Sequence, residues 1–367
     1  MRFGVIGLQH FHVHDMIAGM MREPGVDVIA IAEPDDTAWE RAGARYGLKR
    51  YRDYRQMLDT EHLDAVGIVN IPGDRAEVAA ECLGRGLHVL CDKPAAVNWS
   101  GLNLLADAVR EAGSAVLFPF FTVRYERPVA ALRELVTRGT LGKIASFVSM
   151  RPHKLMPQAR PEWFWDRDRY GGVIVDLGIH DVDIYRWFLG DLAPQARSCS
   201  VSASHSLVGA GMVSSEATGE RKEHAFSDVG HFMLVPSAPA ACPTAVFRVD
   251  WLTPDAEPMH GDCRYFVVGT DGVAEVRTTG GLPGEGESLH LVTRTQPPLS
   301  IELKAASTTI FADFADAARG VRPAAISADE FIEANAIVLM ARDAADAADA
   351  RDAANMARRD GIHRCNG

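Results

Sequence analysis

The first third of the chain alternates short apolar runs with amphipathic segments, and this rhythm limits the possible folds more than any single residue does. Apolar runs at 3–7, 26–32, 65–70, 88–91 and 115–120 read as strands, and the segments at 12–22, 37–46, 76–84 and 102–112 read as helices between them. Strands joined through helices run parallel, because a parallel partner needs a long crossover, and such crossovers are almost always right-handed. The expected architecture is therefore α/β, opening on a doubly wound parallel sheet with helices on both faces.

After residue 121 the rhythm changes. A helix at 128–138 and a strand at 143–150 precede strand-like runs at 225–235, 245–251, 264–269, 273–278 and 289–293, with little helix among the later ones. Thr270-Asp271-Gly272 joins two of these runs as a hairpin turn. This predicts a large, mostly antiparallel open sheet with one face free for a site or a partner. Residues 202–222, rich in Gly and Ser, read as a loop; helices return at 308–319 and 328–345, and the Ala-, Asp- and Arg-rich tail at 341–359 reads as a solvated helix. A length of 367 residues is too great for one ordinary core, so two domains are expected, at 1–121 and 122–367.

A formal net charge of -11 argues against a nucleic-acid-binding surface. The six cysteines have neither disulfide-framework nor zinc-site spacing, Met1 runs almost directly into a strand pattern in place of a secretory leader, and no apolar run reaches membrane-spanning length. The expected compartment is the cytoplasm.

The stretch 171–190 mixes polar groups into a helical apolar pattern. Asp176, His180, Asp183 and Trp187 step by four, three and four, which stacks them on one face of a helix that ends at Gly190. Two carboxylates and an imidazole on an otherwise apolar helix need partners, because unpaired buried charge is costly. The stripe is expected to line a cleft, the competing reading being a solvated face with a capping Asp. Asp183 is a candidate partner for Arg186 or Arg124.

At the other end, the first strand runs through Gly4 into Gly7-Leu8-Gln9-His10-Phe11-His12, where a Rossmann domain sets its Gly-rich turn against a pyrophosphate. The second strand ends at Glu33, placed to accept hydrogen bonds from ribose hydroxyls and to repel a 2′-phosphate, which favours NAD over NADP. Bulky residues fill the later glycine positions. His10, His12 and His14 admit a rival reading, since a His-x-His after a first strand also supplies zinc ligands in metal-dependent amidohydrolase barrels. An antiparallel second half is incompatible with eight βα units, so the histidines are expected to cap or pack the first helix, with no metal.

Several stretches together resemble the Gfo/Idh/MocA family of glucose-fructose oxidoreductase and inositol 2-dehydrogenase. Cys91-Asp92-Lys93-Pro94 resembles its Glu-Lys-Pro motif, and 171–190 its Gly-Gly...Asp-x-Gly-x-His-x-x-Asp helix. Residues 118–125 and 139–144 are similar to its lead-in to the second domain, and 267–272 to a late hairpin. The departures are the bulky turn after Gly7 and the absence of the family's His after Asn70-Ile71-Pro72. The resemblance implies a Rossmann domain, a substrate-binding and oligomerising α/β domain, a nicotinamide dinucleotide, and redox chemistry on a sugar, inositol or related polyol. It carries catalytic roles to Lys93, Asp176 and His180, and implies assembly as a homodimer or homotetramer. Cofactor contacts are expected from Gly4, Gly7, Gln9, His10, Phe11, Glu33, Asn70, Pro72, Lys93 and Pro94.

An imidazole titrates near neutral pH, so His180 suits the base that removes a hydroxyl proton, with Asp176 one turn away to orient it or to hold substrate. Lys93, just beyond a strand's carboxyl end, can stabilise the alkoxide as charge develops. Arg124, Arg151, Trp163 and Trp165 can grip a sugar face or an acidic substituent, or equally pin their loops by burial. An NAD-requiring glycosidase and a nucleotide-binding regulator without turnover are the alternatives.

Overall fold

A computed structural model of the chain describes residues 1–190, 199–206, 226–237, 242–281 and 286–365. The chain forms two compact units, one made of Met1–Glu126, Arg160–Gly171 and Ala305–Ala336, the other of Arg127–Ala159, Gly172–Lys304 and Ile337–Gly367.

The first unit is built on β1 (Arg2–Ile6), β2 (Asp27–Ala32), β3 (Lys49–Tyr51), β4 (Ala65–Ile68), β5 (His88–Cys91) and β6 (Leu117–Pro119). They form one sheet in the order β3-β2-β1-β4-β5-β6, and every pairing is parallel. The intervening helices are α1 (His12–Arg22), α2 (Asp36–Ala38), α3 (Tyr54–Thr60), α4 (Pro72–Gly84) and α5 (Trp99–Glu111). The sheet order reverses between β1 and β4, and open α/β sheets bind ligands outside the carboxyl ends of the strands at such a reversal. The helix expected at 37–46 is broken: α2 gives way to a π-turn at Trp39–Gly43 and a 3₁₀ turn at Ala44–Tyr46. At Gly43 the Trp39 ring and Leu8 lie where a Cβ would stand.

The second unit starts with α6 (Arg127–Thr137) and β7 (Ile144–Pro152). Beyond α7 (Arg167–Tyr170), which belongs to the first unit, comes α8 (Val173–Leu189). The remaining strands are β8 (Cys199–Ser206), β9 (Val229–Pro236), β10 (Thr244–Asp250), β11 (Arg264–Gly269), β12 (Gly272–Arg277), β13 (Ser288–Thr293) and β14 (Leu299–Ser300). They make an eight-stranded sheet in the order β14-β13-β12-β11-β7-β10-β9-β8, antiparallel except where β7 and β10 run parallel. The loop expected at 202–222 begins instead with residues of the edge strand β8, and 207–222 lie outside the described residues.

Side chains alternate across this sheet. Phe232, Phe247, Phe147, Tyr265, Ala274 and Leu291 face a buried side, against which α8 packs on β7, β9 and β10 and α6 packs on β12 and β13. Gly178 lets α8 approach closely, since a Cβ there would stand 3.1 Å from the Phe232 ring. On the opposite side Met233, Val246 and Phe266 remain exposed.

α9 (Ile310–Ala318) returns to the first unit, where Phe314 sets its ring edge-on to Phe3 at 6.2 Å and to Phe118 at 5.9 Å. α10 (Ala328–Cys365) begins in that unit, and in the tail read as a solvated helix its Ala341 and Ala345 are buried. The cysteines Cys82, Cys91, Cys242 and Cys263 are buried free thiols, and burial pushes Cys82 and Cys91 up to about 12. Among the described residues no helix is long and apolar enough to cross a membrane.

Phe147 is the centre of the second unit's core, with the rings of Tyr185, Phe188, Phe247 and Tyr265 at 5.5, 6.1, 5.8 and 5.7 Å. Phe147→Ala is expected to cost about 3–5 kcal/mol of unfolding free energy, read as a lowered urea midpoint.

Candidate active site

The turn after β1 is shaped by Gly7. Its φ of +88° is left-handed, and a Cβ would lie 2.4 Å from the Asn70 Cα at the end of β4, so only glycine lets these two strand ends come together. Beyond Gly7 the turn is fastened to Glu33. Leu8 N donates to Glu33 Oε2 at 2.7 Å, while Gln9 Nε2 at 3.0 Å and Asp35 N at 2.9 Å both donate to Oε1. Gln9 also accepts from the Trp163 indole N–H at 3.2 Å. Glu33 is thereby left 1% exposed. Trp163 thus sits beside the turn, on a segment that belongs to the first unit.

The second cluster lies at the end of β5. Asp92 is fully buried; His12 Nδ1 meets its Oδ1 at 2.8 Å, while His10 Nδ1 and Arg75 Nη2 approach Oδ2 at 3.4 and 3.3 Å. Burial alone would raise the Asp92 pKa, but His12, Arg75 and His10 outweigh it and hold the carboxyl well below its ordinary range. Arg75, itself fully buried, also donates to the carbonyls of Pro94 and Asn70, each at 2.8 Å. Lys93, 4% exposed, therefore stands in a loop pinned on both sides, and Asn335 completes the pinning by accepting from Ala95 N at 2.8 Å and Ala96 N at 3.1 Å.

Ligand-type atoms of His10, His12 and Asp92 lie within 4.8 Å of one another, which is metal-site spacing. The Asp92 carboxylate, however, already answers to Arg75 and His12, and a divalent ion there would face a buried guanidinium. The cluster is an ion-pair hub that ties the turn after β1, the Lys93 loop and the first turn of α4 together.

On α8, Asp176 and His180 stand one turn apart, 7% and 6% exposed, with Asp183 further along the same stripe at 1%. Asp181 points elsewhere: its carboxylate accepts from Ser149 Oγ at 3.0 Å, Arg151 Nε at 2.8 Å and Tyr265 Oη at 2.8 Å, anchoring the helix to β7 and β11. Arg151 is thus engaged beneath the helix through Nε and Nη2. Arg124 pairs with Glu330 at 2.8 Å.

The other expected contact residues are dispersed in role. Gly4 lies within β1, where Leu63 and Met57 occupy the space beside it. Phe11 is 50% exposed and stacks on His10 at 4.5 Å, Pro72 opens α4, and Trp165 sets its ring edge-on to Phe164 at 5.3 Å. Arg75 escaped the sequence reading. Its signal was a cation within the buried stripe of α4, between Pro72 and Ala79.

Residues 1–120 match the family model described as an oxidoreductase family with an NAD-binding Rossmann fold, and residues 129–275 match the GFO/IDH/MocA C-terminal domain. The chain belongs to the Gfo/Idh/MocA family. Its relatives include a myo-inositol 2-dehydrogenase of Thermotoga maritima, 27% identical over 196 residues that cover 52% of this chain and 55% of the relative. A 1,5-anhydro-D-fructose reductase of Ensifer adhaerens is 29% identical over 209 residues, 55% of this chain and 60% of that one. The chain spans a little over half the length of these curated relatives. A crystal structure from Erwinia carotovora atroseptica superposes with a TM-score of 0.81 at 27% identity, covering 94% of this chain and 98% of the other. The fold and the family expected from the motifs are those found.

The depressed Asp92 pKa fixes the sign of a pH effect. The carboxylate contributes stability that is fully present above its unfolded pKa of about 3.9 and is lost as pH falls towards the lower folded value. Asp92→Ala, which leaves Arg75 buried without its carboxylate, is expected to cost roughly 3–5 kcal/mol at neutral pH and to flatten the acid limb of a stability-pH curve measured by urea unfolding.

Proposed function

We propose that this chain is an NAD(P)-dependent oxidoreductase that interconverts a CH–OH carbon and its carbonyl in a sugar, inositol or related polyol, with NAD the preferred dinucleotide. The observation that carries the reading is Lys93, held buried at the carboxyl end of β5 in an NAD-binding Rossmann domain, beside the strand-order reversal where such sheets take their ligands.

The residues fit a dinucleotide. Gly7 gives the backbone approach a turn needs, and Glu33, the residue after β2, is an acceptor for ribose hydroxyls and a repellent for a 2′-phosphate. When bound, the nicotinamide supplies the two-electron acceptor or donor. In the oxidative direction His180 accepts the substrate hydroxyl proton, while Asp176 orients the imidazole or holds a neighbouring hydroxyl. Lys93 donates a hydrogen bond to the reacting oxygen and stabilises its developing negative charge, and on reduction the same groups return the proton. The names of the relatives, an inositol dehydrogenase and an anhydrofructose reductase, support the substrate class.

Titrating the protein with NAD and NADP, then following absorbance with polyols and sugars, tests the reading. Lys93→Ala and His180→Ala are each expected to lower kcat by about 100-fold or more with dinucleotide affinity nearly unchanged. Normal rates in both variants, or NADP bound far more tightly than NAD, contradict the assignment.

The exposed sheet face also supports assembly as a homodimer or homotetramer. Register places Met233, Val246, Val148 and Phe266 side by side across β9, β10, β7 and β11, and three of the four are apolar side chains at least 37% exposed. Phe266→Asp is expected to shift the mass measured by light scattering towards the monomer.

A further inference from the structure

The state of Glu33 is at odds with an open ribose site. Its carboxylate, 1% exposed, already receives three donors, and Leu8 N and Asp35 N are fixed in the backbone. The third is the Gln9 carboxamide, which stands where the motif of a Gly-rich turn has no side chain at all. This carboxamide is held at both ends, giving its N–H to Glu33 at 3.0 Å and taking the Trp163 indole N–H at 3.2 Å. Trp163, 6% exposed, has little room to move away by itself.

We propose that Gln9 is a latch that sets dinucleotide affinity: its carboxamide takes the place of a ribose hydroxyl on Glu33, and a dinucleotide binds by exchanging with it. The inference rests on the NAD(P) reading above and deepens it. The exchange conserves hydrogen bonds at Glu33, where an N–H from Gln9 gives way to an O–H from the ribose. It frees the Gln9 Oε1–Trp163 bond, so indole surroundings change as the ligand enters. A ligand without the free diol cannot repay the lost donor, and a 2′-phosphate meets the unmasked carboxylate as a like charge. The latch therefore weakens dinucleotide binding overall and leaves discrimination to Glu33.

The test is calorimetric titration of the purified full chain with NAD and with NADP, together with intrinsic tryptophan fluorescence, for wild type, Gln9→Ala and Trp163→Phe. Removing a hydrogen bond to a charged acceptor that either dinucleotide must displace is expected to tighten NAD and NADP binding by a similar factor, about tenfold, in Gln9→Ala, with the ratio of the two affinities nearly unchanged. Trp163→Phe, which loosens one end of the latch, is expected to tighten NAD about threefold and to abolish most of the fluorescence change that NAD causes in wild type. It also serves if Gln9→Ala fails to fold. NAD affinity that is unchanged or weaker in the folded variants, with wild type binding normally, overturns the latch and leaves the dinucleotide reading intact. Absence of binding of either dinucleotide to wild type and to variants overturns that reading, and the latch with it.

Discussion

A carboxylate with no solvent contact at the end of β5 obliges its surroundings to supply charge and hydrogen bonds, and Arg75, His12 and His10 do so for Asp92. Replacing such a buried cluster with apolar side chains of similar volume is often neutral or stabilising, so stability alone gives little reason to keep it. What it does supply is position. The four residues come from the turn after β1, the start of α4 and the end of β5, which are the segments that border the carboxyl ends of the central strands. Lys93 inherits its place from its neighbour Asp92.

The second unit uses the same device. Asp181, fully buried, is tied to Ser149, Arg151 and Tyr265, which fixes the rotation of α8 on its sheet. At about 100° per residue, His180 and Asp176 then lie about 100° and 140° round the helix from that anchor. Each unit therefore sets the candidate chemical groups beside a saturated ionic anchor.

The parallel sheet was legible because its strands are short apolar runs separated by helix-length amphipathic segments, a pattern few other folds accept. The candidate residues Lys93, Asp176 and His180 rest on motif spacing, which can be read without knowledge of contacts. Less was readable where tertiary pairing decides. β3 carries Lys49 and Arg50 on a sheet edge and shows no apolar run. Arg151 and Arg124 look alike in sequence, and their pairing with Asp181 and Glu330, 30 and 206 residues away, could not be read there. Glu33 was readable as a carboxylate just after the second strand, but its coverage by Gln9 depends on Trp163, 154 residues beyond Gln9.

The first unit is not continuous in sequence, and this bears on how the protein is made. The loop after Lys93 is fastened by Asn335, Tyr125 donates to Asp313 at 2.7 Å, and Phe314 fills the space between Phe3 and Phe118. A ribosome adding roughly 5–20 residues per second needs on the order of 10–40 s to travel from the end of β6 to Asn335. During that interval the nascent Rossmann sheet exposes the apolar surface that α9 will cover, and the Lys93 loop lacks its clasp. The Rossmann sheet thus emerges well before the segments that finish its unit.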